Sequence, residues 1–187
     1  MTMLTTARLR LEPFDLSHVD GLHAMNSDPE VMRYISGQPE TREETLAIVE
    51  RVQARWREFG YSWWSFIDIA SGQVVGAGCI QNLRRAASPS PDPACPIEIG
   101  WRLRRDRWHQ GLASEAAVAM ADFAFGPLRA PELYAVCNPA NTASATVMRR
   151  LGMEELGLDT WYGQSMTTYR ISAERWAAAG LRRLAPS

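Results

Sequence analysis

Apolar and polar positions along the 187-residue chain change their period several times, and each change marks an element. Residues 7–13 (ARLRLEP) alternate as a half-buried strand does. The stretch 15–28 (DLSHVDGLHAMNSD) shifts to helical spacing, with Asp15 or Ser17 as its cap and Pro29 beyond it. Thr41 and Glu44 form a T-x-x-E capping box. Leu46, Val49, Val52, Trp56 and Phe59 then recur every three or four residues, which predicts a helix lying on a core and stopping at Gly60. Residues 61–80 (YSWWSFIDIASGQVVGAGCI) read as two β-rich runs joined through Ala70 to Gln73. Four prolines within 84–96 predict a surface loop. Beyond it, 97–103 (IEIGWRL) is a strand, 112–125 an alanine-rich helix and 132–137 (ELYAVC) a strand. Asn141 to Leu151 is a helix with Gly152 after it, 153–158 and 165–171 form a closing hairpin, and a short last helix carries Trp176 on its apolar face.

The order β, two helices, a β-meander, then β-α-β-α-β predicts a mixed α/β domain, largely antiparallel in its first half and with a crossover in its second. The length favours a single domain over 1–187, and no internal repeat interrupts it. At this size folding buries roughly 70% of the unfolded chain's surface, so a core needs neither metal nor disulfide.

Composition narrows the function. Hydrophobic residues make up 46% and charged residues 22%, as in soluble globular proteins. A net charge of -1 gives no electrostatic footprint for nucleic acid or an anionic membrane. There is no lysine, so all 20 basic residues are arginine. Cys79, Cys95 and Cys137 are scattered and form no C-x-x-C pair, which suits reduced thiols. No apolar run approaches the roughly 20 residues of a membrane span, and the N-terminal residues lack a signal-peptide core, so the expected location is the cytoplasm. His18 and His23, five apart, do not share a helix face, and no metal site is expected. The YSWWSF aromatics read as core, with one available to line an acceptor pocket.

Candidate chemistry begins at 107–117 (RWHQGLASEAA). A glycine stands between the end of a strand and the start of a helix. Helix starts carry unpaired N–H groups and the positive end of the dipole, so they bind anions. Gly111 has no Cβ to keep a ligand from the backbone, and Ala113 and Ser114 keep the first turn small. Plain turn chemistry would use the same residues. The phosphate-binding lysine of G-x-x-x-x-G-K-[ST] and the full G-x-G-x-x-G are both missing.

In order, TARLRLEPF, IEIGWRL, W-x-x-G-x-A-S-E-A, ELYAVC and N-x-x-N-x-x-S followed by RRLGM resemble the GNAT superfamily of acetyl-CoA-dependent N-acetyltransferases, and within it the RimJ/RimL-like branch. The resemblance covers nearly the whole chain. The superfamily's loop pattern is Q/R-x-x-G-x-G/A; Gly111 and Ala113 match it, while Trp108 takes the first position, where the branch commonly has an aromatic. The resemblance implies a mixed, mostly antiparallel sheet with splayed central strands and flanking helices. Acetyl-CoA is then the co-substrate, its pyrophosphate on His109, Gln110, Gly111, Leu112, Ala113 and Ser114, and its pantetheine arm along Trp101, Arg102 and Leu103 and on Asn141. The acceptor is a primary amine, either a peptide N-terminus or a small molecule, and a homodimer is compatible with the family.

Acetyl transfer needs an amine that loses its proton, a polarised carbonyl and a protonated leaving thiolate. Period 2 puts Glu98, Gly100 and Arg102 on one face of their strand, and Glu98 is the candidate base, directly or through water. Pairing with Arg102 or another arginine on a solvated face is its structural alternative. The resemblance brings the Ser144 hydroxyl to the coenzyme sulfur as proton donor, with helix capping as its alternative and that of Asn141. Asn138 precedes Pro139 and suits the turn there. The oxyanion donor is expected to be a main-chain N–H near Trp101 to Leu103. Arg149 and Arg150 are candidates for the 3′-phosphate of the coenzyme or ordinary surface charges. A coenzyme-binding sensor or scaffold without turnover would keep the loop and lose the polar groups; Glu98, Asn141 and Ser144 together favour an enzyme.

Overall fold

The computed structural model describes residues 1–88 and 90–184. In chain order its elements are β1 (Leu4–Thr5), β2 (Leu9–Pro13), α1 (Val19–Asn26), α2 (Pro29–Met32), α3 (Arg42–Phe59), β3 (Trp63–Asp68), β4 (Val74–Asn82), β5 (Ile97–Leu103), α4 (Leu112–Phe125), β6 (Glu132–Cys137), α5 (Thr142–Arg150), β7 (Glu154–Trp161), β8 (Gln164–Ser172) and α6 (Ala173–Leu184). The strands form one mixed sheet in the order β1-β2-β3-β4-β5-β6-β8-β7. β5 and β6, joined through α4, run parallel, whereas β1–β2, β2–β3, β3–β4, β6–β8 and β7–β8 are antiparallel. The α/β class and the late crossover are those expected. The chain divides into two compact units, one of Met1–Ile80 with Gly100–Met120, the other of Gln81–Ile99 with the residues from Ala121 onward.

In the first unit, α3 starts at the expected capping box. Thr41 Oγ1 accepts from the Glu44 N–H and the Glu44 carboxylate accepts from the Thr41 N–H, which satisfies two donors that a helix start leaves open. Its buried stripe is Val49, Val52 and Trp56, each side chain contributing about 1.5–3 kcal/mol by leaving water. Trp56 meets the edge of Trp64 at 4.9 Å and donates its indole N–H to the Trp63 carbonyl at 2.9 Å. In β4 a Cβ on Gly78 would lie 2.5 Å from the Phe66 ring and 2.8 Å from the Gly100 carbonyl, so the ring and β5 approach only because that side chain is absent.

The segment 15–28 departs from the single expected helix. Asp15 caps a 3-10 turn at Leu16–His18, and α1 follows. Pro29 opens α2 at its first turn, with Asp28 as the cap, instead of merely standing beyond a helix. A four-residue helix and the two-residue β1 are too short for periodicity to reveal.

In the second unit, Leu133, Ala135 and Cys137 fill alternate buried positions of β6, which pairs with β8. The closing hairpin is longer than its sequence suggested. Its strands run to Trp161 and from Gln164, and the turn is only Tyr162-Gly163, with φ of 55° and 71°. A tyrosine at positive φ is uncommon, which is why this stretch reads as a loop. External bonds hold it, because Tyr162 and Gly163 donate their N–H groups to the carbonyls of Arg84 and Arg85 at 2.8 Å. The proline-rich loop is pinned in turn, with the Leu83 N–H on the Pro96 carbonyl at 2.8 Å and Asn82 Nδ2 on the Cys95 carbonyl at 2.9 Å. Leu83, Trp161 and Met166 form a small core beneath, packed by Cys95, Tyr134, Val136 and Tyr162.

Candidate active site

Glu98 lies in β5 opposite Tyr134 of β6, and that one pair is the whole parallel ladder between the two strands. The residue is 6% exposed. Its Oε1 accepts from Gln81 Nε2 at 2.6 Å and, through a short bond, from the Tyr162 hydroxyl. Oε2 has no hydrogen bond among the described residues. Burial raises the pKa of the carboxyl above the ordinary range, while the two hydrogen bonds and the nearby Arg84 charge pull it back. Arg84 sits 4.9 Å from the centre of the Tyr162 ring, and its Nε is covered without a hydrogen-bond partner. Glu98 is thus buried with an amide and a phenol as its partners, not paired with an arginine on a solvated face.

Sequence reasoning missed Gln81, Arg84 and Tyr162. The one signal was for Tyr162: the glycine after it supplies one of the two positive-φ positions that a two-residue hairpin turn needs.

Asn141 is the N-cap of α5, its Oδ1 accepting from the Ser144 N–H at 3.2 Å. The carbonyl end of that side chain is thus engaged in capping. The Ser144 hydroxyl makes no hydrogen bond among the described residues, so it does not cap the helix. Asn138 Oδ1 accepts from the Ala140 N–H at 2.9 Å and shapes the turn before α5. Arg149 is turned toward Thr146 and the Tyr169 hydroxyl, at 3.3 and 3.4 Å, and both it and Arg150 are exposed.

The segment leading into α4 belongs to the first unit. Trp108 anchors it by donating its indole N–H to the Leu103 carbonyl at 2.9 Å. Gln110 Nε2 donates to the Asp106 carbonyl at 3.0 Å. His109 and Gly111 both have left-handed backbones, with φ of 59° and 76°. Arg8 braces the loop from β2's leading edge, donating from Nη1 to the Gln110 carbonyl at 2.9 Å and pairing with Glu115 at 2.6 Å. Glu115 also accepts from the Thr6 hydroxyl at 2.6 Å. This clamp went unread in TARLRL, since nothing in the sequence pairs residue 8 with residue 115.

The first-turn N–H groups of Leu112, Ala113 and Ser114 have no partner within their helix, as at any helix start. Ser114 Oγ is covered and has no hydrogen-bond partner. A Cβ on Gly111 would find only Arg8 Nη2, at 3.6 Å. Open main-chain donors, an unpartnered hydroxyl and space at the glycine fit a pyrophosphate.

On β5 itself, Leu103 is buried and Trp101 half-buried. Arg102 places its guanidinium 5.0 Å from the centre of the Trp63 ring, and its Nε is covered without a hydrogen-bond partner.

A family profile described as the acetyltransferase (GNAT) domain matches residues 8–154. The chain is 32% identical over 155 residues to the uncharacterized protein YkkB of Bacillus subtilis (strain 168), covering 81% of this chain and 85% of that protein. It is 28% identical over 185 residues to the FsC-acetyl coenzyme A-N(2)-transacetylase of Aspergillus fumigatus, covering 92% of this chain and 77% of that one. Among solved structures, RimL, the ribosomal L7/L12 alpha-N-protein acetyltransferase in complex with coenzyme A, shares the fold at a TM-score of 0.75 and 17% identity, over 91% of this chain and 98% of that one.

Proposed function

The chain belongs to the GNAT acetyltransferase family and is an N-acetyltransferase, and from that premise we propose that it moves the acetyl group of acetyl-CoA to a primary amine by direct attack in a ternary complex. Acetyl-CoA supplies an acyl carbon activated as a thioester and a thiolate that can leave. The observation that carries the reading is the Glu98 carboxylate, buried and held through Oε1 by Gln81 and Tyr162 while Oε2 carries no hydrogen bond among the described residues.

An alkylammonium must lose a proton before it can attack. Glu98 receives that proton on Oε2, directly or through a water. Its raised pKa brings it nearer the working pH, where a base is most effective. Ser144 donates its hydroxyl proton to the departing sulfur. Main-chain N–H groups of Trp101 to Leu103 polarise the thioester carbonyl. The loop from His109 to Ser114 holds the pyrophosphate, Asn141 offers its amide nitrogen to the pantetheine arm, and Arg150 is free for the 3′-phosphate.

We place the chain in the RimJ/RimL-like branch, supported by the fold shared with RimL and by the Trp108-Gly111-Ala113 loop. The acceptor is a peptide N-terminus, as for RimL, or a small amine. The cytoplasm is the proposed location and a homodimer the proposed assembly. The reading is tested by following thiol release from acetyl-CoA against peptides with varied N-termini and a panel of small amines. Acetylated product from at least one class supports it, and no release above background hydrolysis with any amine refutes it.

A further inference from the structure

The Arg102 side chain has no part in the chemistry just described, and its surroundings in the first unit are unusual. The guanidinium lies over Trp63, and it forms neither a hydrogen bond nor an ion pair with any described residue. Burial works against its charge, and Glu40 and the Cys79 sulfur are the groups that favour it. Glu40 is held elsewhere, since its Oε2 accepts from Asn26 Nδ2 at 2.7 Å and from the Thr45 hydroxyl at 3.3 Å. Asn26 Oδ1 and the Ser65 hydroxyl are likewise covered and without partners. Ser65 and Trp63 share a face of β3, because strand side chains alternate. Arg102 is half-buried, but its Nε is covered, and a covered donor left without a partner is costly.

We propose that this cluster is the acceptor subsite and that Arg102 binds a carboxylate carried by the amine being acetylated. A guanidinium presents a planar fork that matches a carboxylate with two parallel hydrogen bonds, and the indole of Trp63 is a flat platform for that plane. The coenzyme's phosphates are not the intended anion. They have their own main-chain donors at the start of α4, whereas Arg102 faces residues of β3, β4 and the segment before α3. The negative charge of Glu40 nearby disfavours a doubly charged phosphate more than a singly charged carboxylate. The acceptor class is therefore an amine that bears a carboxylate, either a free amino acid or a peptide with an acidic side chain beside its N-terminus.

This inference rests on the acetyl-transfer reading, and the test separates the two. Matched acceptors are compared by thiol release: amino acids against their amides, and Asp-Ala-amide against Asn-Ala-amide. The wild type is expected to favour the carboxylate member of one pair at least 10-fold in kcat/KM, mainly through KM, and the pair that shows it identifies the source of the carboxylate. Arg102→Gln should collapse that ratio, and Arg102→Lys, which keeps the charge without the fork, should restore part of it. Equal use of both members by the wild type, or a ratio that survives in Arg102→Gln, overturns the proposal while leaving acetyl transfer standing. If no acceptor is turned over, calorimetric titration with the same amines decides: binding of the carboxylate member that Arg102→Gln abolishes supports the subsite, and no binding refutes it. Circular dichroism melts establish that each variant is folded.

Discussion

Gln81 donates to Glu98 across 2.6 Å, and both side chains are buried. A carboxylate in that position is held in one orientation and poorly solvated. Its proton affinity and its place in the structure are therefore linked, and each can be tested.

Glu98→Gln should lower kcat at neutral pH by about 10²-fold or more, within the usual range for a base, and recover partly as pH rises and solvent deprotonates the amine. In the wild type, kcat/KM should rise with pH through a step above the ordinary carboxylate range, because burial raises the pKa. Full activity of the Gln variant at neutral pH would remove Glu98 from the mechanism.

The same shift has a stability consequence. A raised carboxyl pKa means that the folded state still holds a proton that the unfolded chain has released. The stability associated with Glu98 is thus complete below the unfolded pKa and lost as pH rises through the folded one. Urea titrations across that window should show a falling slope in the wild type that Glu98→Gln flattens, with the variant at least as stable at neutral pH. A variant markedly less stable at neutral pH contradicts this account.

Tyr162→Phe keeps the ring beneath Arg84 and removes one hydroxyl that donates to the charged form of Glu98. The step in the pH–rate profile should move to higher pH, since a bond that favoured the carboxylate is gone. The stability loss should be about 1 kcal/mol. An unmoved step would mean that Tyr162 only closes the hairpin.

Asn141 and Ser144 should separate cleanly. Asn141→Ala removes the cap of α5 and should cost about 1 kcal/mol in thermal or denaturant melts. Ser144→Ala should leave the melt nearly unchanged and lower kcat by about 10²-fold with little change in coenzyme affinity. Equal loss of affinity with kcat intact would make Ser144 a positioning residue.

Gly111→Ala tests the phosphate loop. The new methyl meets nothing closer than Arg8 Nη2 at 3.6 Å, so the cost comes from the backbone at φ 76° and should be about 1 kcal/mol of stability. Gly111→Val adds bulk where the ligand approaches and should weaken acetyl-CoA binding in calorimetry by about 2 kcal/mol. Undiminished affinity in both variants would move the pyrophosphate elsewhere.

The long elements were legible because they repeat a period. The bounds of β5, α4 and β6 follow from alternation and from an unbroken helical run. The cap at Thr41 was legible because its partners are three residues apart. What escaped depends on contacts between distant positions. Arg8 and Glu115 meet across 107 residues, and Tyr162 reaches Glu98 across 64. No local pattern encodes either. The position of Glu98 on its strand was readable, but not that an amide and a phenol would surround it. The family resemblance places Arg102 along the coenzyme, and only Trp63 of β3, Cys79 of β4 and Glu40 before α3 reveal where its guanidinium goes.

The bonds from Trp108 to Leu103, from Gln110 to Asp106 and from Arg8 to Gln110 are all made within the chain. The loop is therefore preorganised: its conformational entropy is surrendered when the chain folds, not when a nucleotide arrives. Loosening one of these ties leaves every phosphate-binding donor in place. The damage would then appear in calorimetry as a more unfavourable binding entropy, with the enthalpy of each contact retained.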